Sequence, residues 1–152
     1  MLRLRFLLKY WLPVLVWMAV IFSASGDRGS FQHSSRIIGP VVRWVYPQIS
    51  DEALHSVVVT VRKGAHVAEY AILMLLVWRA LHRPIRNDPR PWIWPHGIQA
   101  LVVVVIYAVT DELHQAFVPG RQGSPWDVLI DSAGAFLALL FLWLLGRWRR
   151  SS

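Results

Sequence analysis

Four apolar runs of nearly membrane-spanning length constrain this chain more than any other feature. Only 16% of the residues are charged and 55% are hydrophobic, which is not the composition of a soluble domain. A helix of about 20 apolar residues crosses roughly 30 Å of hydrocarbon. We therefore predict a single all-α integral membrane domain over residues 1–152, a four-helix bundle. Its predicted spans are residues 6–24, 65–81, 95–117 and 125–146.

Proline, serine and glycine positions set the predicted helix boundaries. Ser50, followed by two acidic residues, is typical of a capped helix start. Pro119 disfavours helix at the residue before it, so the third span ends there. Ser124 with Pro125 in the first helical position begins the fourth span. Gly64 is a candidate bend, and the pattern leaves open whether residues 50–81 form one bent helix or two.

Residues 26–50 contain Pro40 and Pro47 and are too interrupted for a span. Within them, apolar residues alternate with Arg36 and Arg43, which is typical of a segment that lies in the membrane interface. We predict an extracytoplasmic, interfacial helical segment between the first and second spans.

The charge distribution indicates a membrane partner. The net charge of +7 would permit nucleic-acid binding, but the basic residues cluster at the ends of the apolar runs, and we predict no nucleic-acid partner. Ten Lys and Arg residues lie on the side of the two termini and six on the other side. The positive-inside rule then predicts a multi-pass membrane protein with both termini in the cytoplasm. The chain has no Cys, which excludes disulfides and thiolate chemistry.

Ionisable side chains converge at the extracytoplasmic ends of three predicted spans. At about 1.5 Å per residue, Asp111 lies roughly 24 Å beyond Pro95, near the outer edge of the hydrocarbon. Such groups are costly near lipid and indicate a functional site. The candidate catalytic residues are His66, Glu69, Asp111, Glu112, His114, Asp127 and Asp131.

Acids near the C-terminal end of a helix meet the unfavourable end of its dipole, so Asp111 and Glu112 are expected to need a cationic partner. Candidate partners and substrate-binding residues are Arg62, Lys63, Tyr70, Gln115 and Arg121. Structural alternatives stay open for several positions. Asp127 follows Ser124 by three residues and also fits a capping box, and His66 with Glu69 would also fit interhelical hydrogen bonding.

The same acids and imidazoles include the oxygen and nitrogen ligands of a zinc or manganese site. Their spacing matches no standard metal motif. We predict no cofactor, and keep a divalent metal as the alternative.

Three stretches of the sequence resemble the VanZ-like family, small membrane proteins named after a teicoplanin-resistance determinant. They are FSASGDRGSFQ (residues 22–32), RKGAHVAEYAIL (62–73) and DELHQAFVPGRQGSPWDVLIDSAGA (111–135). The resemblance implies a four-helix domain in the bacterial cytoplasmic membrane and a role in the cell envelope, with reduced sensitivity to lipoglycopeptides in some members. It also groups Pro119, Gly120 and Arg121 with the candidate site. Asp131 departs from the family pattern, which commonly has Asn there.

Two functions remain open at this point. One is an enzyme that acts by acid/base chemistry on a lipid or lipid-linked envelope intermediate at the outer leaflet. In it Glu112 or Asp111 is the general base, and His114 or His66 moves protons. The other is a non-catalytic protein that binds a lipid or amphiphile. A proton-coupled transporter fits less well, because no polar residues line the inner half of the predicted spans.

Overall fold

A computed structural model of the chain describes residues 2–26, 31–82, 94–118 and 123–151. Over these ranges the chain is helical and contains no strand, so the prediction of an all-α protein is confirmed. The helices are α1 (Leu2–Tyr10), α2 (Leu12–Ser25), α3 (Phe31–Val45), α4 (Asp51–His82), α5 (Trp94–Ala116) and α6 (Pro125–Ser151).

The predicted first span is broken into two helices. α1 and α2 meet at Trp11 and are bent by 43° relative to each other. Pro13, in the first turn of α2, has no backbone N–H for the carbonyl of Lys9, and its ring crowds that carbonyl. The prediction of one helix over residues 6–24 is therefore wrong, because two helices share these residues.

α4 is one continuous helix of 32 residues that runs through Gly64. A glycine in a helix interior costs only about 1 kcal/mol, which packing along the rest of the helix outweighs. The Ser50 hydroxyl accepts a hydrogen bond from Ala53 N at 3.2 Å, which confirms the predicted cap. The segment before it is also helical: α3 contains Pro40 within its length and packs against α4.

Three helices are long and apolar enough to cross a membrane: α4, α5 and residues 125–148 of α6. The number rises to four if the bent α1–α2 pair forms one span. α4 is the central element, since it contacts each of the other five helices. The core between α2, α4, α5 and α6 is built from side chains such as Ile21, Met74, Val104 and Leu139. Large apolar side chains such as Leu144 are exposed on the outer surface, as a lipid-facing surface requires.

Candidate functional site

Three carboxylic acids from two helices meet inside the protein. Asp111 and Glu112 lie in the last two turns of α5, and Asp131 lies in the second turn of α6. They are 2%, 5% and 0% exposed, respectively. One carboxylate oxygen from each lies within 4.8 Å of the others. We call these three residues the acid cluster.

Neutral donors hold the acid cluster in place. Ser25 Oγ, from the end of α2, donates to Asp111 Oδ2 at 2.6 Å. The Gln115 amide donates to Asp111 Oδ2 at 3.1 Å and to Glu112 Oε1 at 3.0 Å, so that it bridges the two neighbouring acids. Ser124 N donates to Glu112 Oε2 at 2.9 Å. The donors thus come from α2, from α5 itself and from the residue that precedes α6.

α4 brings an imidazole, a fourth acid and a phenol to the acid cluster. His66 Nδ1 lies 3.3 Å from Asp131 Oδ1. Glu69, one turn along α4, is half-buried and interacts electrostatically with His66, Asp131 and Asp111. Tyr70 is fully buried, and its hydroxyl faces Asp111. The described helices α4, α5 and α6 thus converge on one polar region, as the sequence predicted.

Two glycines permit this approach of helices. A Cβ on Gly134 of α6 would collide with the backbone carbonyl of Val67 on α4, next to His66. A Cβ on Gly123 would collide with the backbone oxygen of Glu112. The first contact sets the distance between α4 and α6. The second lets Ser124 N reach the Glu112 carboxylate.

Two small polar pockets lie beside His66. The larger, about 210 Å³, is lined by Val59, Arg62, Lys63, His66, Asp127, Ile130 and Asp131. The smaller, about 110 Å³, includes Ser25, Ser34 and Glu69 in its lining. His66 and Arg62 line both, so a ligand in either pocket would meet a cationic side chain and an imidazole. Asp131 is in contact with the larger pocket and belongs to the acid cluster.

Some predicted site residues lie apart from the acid cluster or have a different role. His114 is half-buried and stacks on Phe22 of α2, with 4.0 Å between ring centroids. Asp127 lines the larger pocket. It does not complete a capping box, because the Ser124 N–H that would bind its side chain donates to Glu112. Arg121, with Pro119 and Gly120, lies outside the described residues.

In the part of the chain that the structure describes, the hydrogen bonds to Asp111 and Glu112 come from neutral donors, and Arg121, one of the predicted cationic partners, lies outside that part. Glu112, near the C-terminal end of α5, accepts a hydrogen bond from Ser124 N at the start of α6. The positive end of the α6 dipole offsets the negative end of the α5 dipole there. Ser25 is a site residue that our sequence reasoning did not select. Its signal was present, since it lies in the family-like stretch 22–32 at the end of the first apolar run.

A family model described as VanZ/LLP1 matches residues 10–146 of this 152-residue chain. The chain belongs to the VanZ/LLP1 family. The resemblance predicted from three stretches is therefore confirmed, and the VanZ/LLP1 match includes all the residues that form the acid cluster and its pockets. VanZ/LLP1 proteins are membrane proteins, in agreement with the three long apolar helices. No curated protein and no solved structure matches the chain.

Proposed function

We propose that this VanZ/LLP1 protein is a membrane-embedded enzyme that acts by acid/base chemistry on a lipid or lipid-linked envelope substrate. The observation that carries the proposal is the convergence of buried acids and an imidazole from three helices on one polar region. Burying such groups in an apolar protein costs several kcal/mol unless they are compensated. Binding alone would be achieved with fewer of them.

In this proposal the carboxylate of Glu112 or Asp111 accepts a proton from the substrate or from a water molecule. His66 is better placed than His114 to move that proton, because it contacts Asp131 while His114 stacks on Phe22. Arg62 and Lys63, in the lining of the 210 Å³ pocket, bind an anionic headgroup such as phosphate. That pocket accommodates a headgroup but is smaller than the cavities that enclose whole drug-sized ligands. The lipid chains would stay outside.

The site would face the extracytoplasmic side, as the distribution of basic residues predicts. A substrate in the outer leaflet is consistent with the family's link to the cell envelope and, in some members, to teicoplanin resistance. α3 would lie over the outer leaflet, where it would guide a lipid toward Arg62.

The test is a mass-spectrometric comparison of envelope lipids and lipid-linked precursors. The cells lack the protein, or carry the wild type, Glu112→Gln or Glu52→Gln at equal membrane levels. Glu52 is an exposed acid in the first turn of α4, outside the acid cluster, and is the matched control. We expect one species to change with the wild type and with Glu52→Gln but not with Glu112→Gln. Identical lipid profiles in all four kinds of cells would refute the enzyme proposal for those lipids.

A second candidate function, the binding of an amphiphile without chemistry, is favoured by one other feature. An apolar groove of about 860 Å³ lies between the end of α3 and the start of α4. Val41, Val45, Tyr46, Ile49 and Val57 are among the residues that line it. If the protein only binds, Glu112→Gln would weaken lipid co-purification by degrees and convert no species. The lipid profiles of the previous experiment would then stay equal.

A further inference from the structure

The acid cluster contains more carboxylates than the described cationic side chains beside it compensate. Three carboxylic acids that are at most 5% exposed lie within 4.8 Å of one another. Buried acids this close cannot all be ionised without compensating positive charge. Among the described residues, His66 supplies the one ion pair with the acid cluster, at 3.3 Å from Asp131. Three carboxylates are not fully compensated by one imidazolium, so the cluster would bind either protons or a cation.

The hydrogen bonds favour a cation. Ser25, Gln115 and Ser124 N all present donors to the acid cluster, and donors orient carboxylate oxygens that act as acceptors. Outer donors that orient the carboxylates of a site are the usual surroundings of metal ligands in proteins. All three donors are neutral groups, so none of them offsets the charge of the carboxylates that it orients.

Several buried polar atoms at the acid cluster have no hydrogen-bond partner among the described residues. Asp111 Oδ1 and Asp131 Oδ2 are buried and accept no hydrogen bond from the described residues. Tyr70, which is not a member of the acid cluster, is 0% exposed, and its hydroxyl faces Asp111 without completing a hydrogen bond within the described ranges. A fully buried hydroxyl without a partner costs about 1–3 kcal/mol. A hydrated ion at the acid cluster would supply the missing partners.

We propose that Asp111, Glu112 and Asp131 bind one divalent cation of the oxygen-preferring class, to which Mg²⁺, Mn²⁺ and Ca²⁺ belong. Carboxylates and water are the ligands these ions prefer. Ligand oxygens on opposite sides of an ion lie about 4.8 Å apart when the bonds are about 2.4 Å long, and the three carboxylate oxygens lie within that distance of one another. The site is the one used in the proposed function, but this inference rests on side-chain geometry alone.

The experiment measures Mn²⁺ binding to the purified full-length protein in detergent, by the loss of the free-ion signal in electron paramagnetic resonance. We expect about one Mn²⁺ per chain, displaced by excess Mg²⁺ or Ca²⁺. Asp131→Asn removes a ligand charge and should lower the affinity at least about tenfold. Glu52→Gln, the exposed control on α4, should bind like the wild type.

Each result decides the proposal. A folded wild type that binds no Mn²⁺ at millimolar concentration overturns it, and so does an equal loss of affinity in Asp131→Asn and Glu52→Gln. If Asp131→Asn elutes as an aggregate in size-exclusion chromatography, Glu112→Gln takes its place. Because no substrate is present, Mn²⁺ binding together with unchanged lipid profiles would refute only the enzyme. A lipid conversion by a protein that binds no Mn²⁺ would refute only the metal site.

Discussion

One oxygen of Asp111 receives two hydrogen bonds, from Ser25 Oγ at 2.6 Å and from Gln115 Nε2 at 3.1 Å. The same Gln115 amide holds Glu112, whose side chain leaves the helix in a direction about 100° from that of Asp111. Without the amide these neighbouring acids would diverge. A neutral amide and a hydroxyl thus set the geometry of two acids, without adding charge of their own.

Ser25→Ala tests this at the level of a single bond. The change removes a donor to a buried acid between α2 and α5. Interhelical hydrogen bonds in membrane proteins contribute about 0.6 kcal/mol on average and up to about 1.7 kcal/mol, and loss at a buried acid belongs at the upper end. We expect the free energy of unfolding in detergent to fall by about 1–2 kcal/mol.

Ser23→Ala is the matched control, two residues earlier on α2. The Ser23 hydroxyl is exposed and donates only to the carbonyl of Ala19 in its own helix. Its removal should change the free energy of unfolding by less than about 0.5 kcal/mol. Equal effects of the two substitutions would show that the bond to Asp111 contributes nothing specific.

At the scale of the helices, the packing of α4 against α6 brings His66 and Asp131 together. The two helices approach closely at Gly134, where an added Cβ would collide with the backbone of Val67. His66 precedes Val67 on α4, and Asp131 lies one turn before Gly134 on α6. The glycine therefore permits the 3.3 Å contact between imidazole and acid. A backbone carbonyl cannot move aside as a side chain would, so this position has little tolerance.

Gly134→Ala should destabilise the protein even though alanine is the better helix former. The gain in helix propensity is about 1 kcal/mol, but forcing an atom into a packed contact costs about 1–3 kcal/mol, and here the obstacle is backbone. We expect a lower midpoint of thermal unfolding in detergent. Gly64→Ala, on the exposed face of α4 with no atom near the added Cβ, should leave the midpoint unchanged or raise it. A Gly134→Ala protein as stable as the wild type would contradict the packing argument.

Sequence patterns predicted α5 and the start of α6 to within one residue, because apolar length and the Ser-Pro start are local signals. They also predicted that acids from α5 and α6 would share a depth. They did not predict the break at Trp11, since an apolar run looks alike whether or not Pro13 bends it. Nor did they predict that His114 stacks on Phe22, or that Ser25 donates a hydrogen bond to Asp111. Depth follows from counting residues, whereas the rotation of each helix follows from packing.

At the scale of the whole molecule, the number of membrane crossings decides on which side each terminus lies. The three long helices alone would leave the two termini on opposite sides, whereas a spanning α1–α2 pair would leave them on the same side. The larger count of basic residues near both termini favours four crossings with both termini in the cytoplasm. The family model matches from residue 10 and therefore includes α2.

Cysteine labelling in intact cells tests this topology, since the native chain has no Cys. We expect a membrane-impermeant maleimide to label Ser56→Cys, near the start of α4, in intact cells. Leu4→Cys and Trp148→Cys, both at exposed positions near the ends, should react only after permeabilisation. Labelling of Leu4→Cys from outside would mean three crossings. Labelling of Trp148→Cys from outside would mean the opposite orientation.

The length of α4 has one more consequence. Its 32 residues extend about 48 Å, well beyond the roughly 30 Å of hydrocarbon in an average bilayer. The first part of α4 includes Asp51, Glu52, Arg62 and Lys63, so about 18 Å of the helix should extend out of the hydrocarbon on the side of the candidate site. Because α4 is unbroken from the α3 groove to His82, one rigid element connects the groove with His66. An amphiphile in the groove would therefore lie beyond the hydrocarbon, about two to three helical turns from His66.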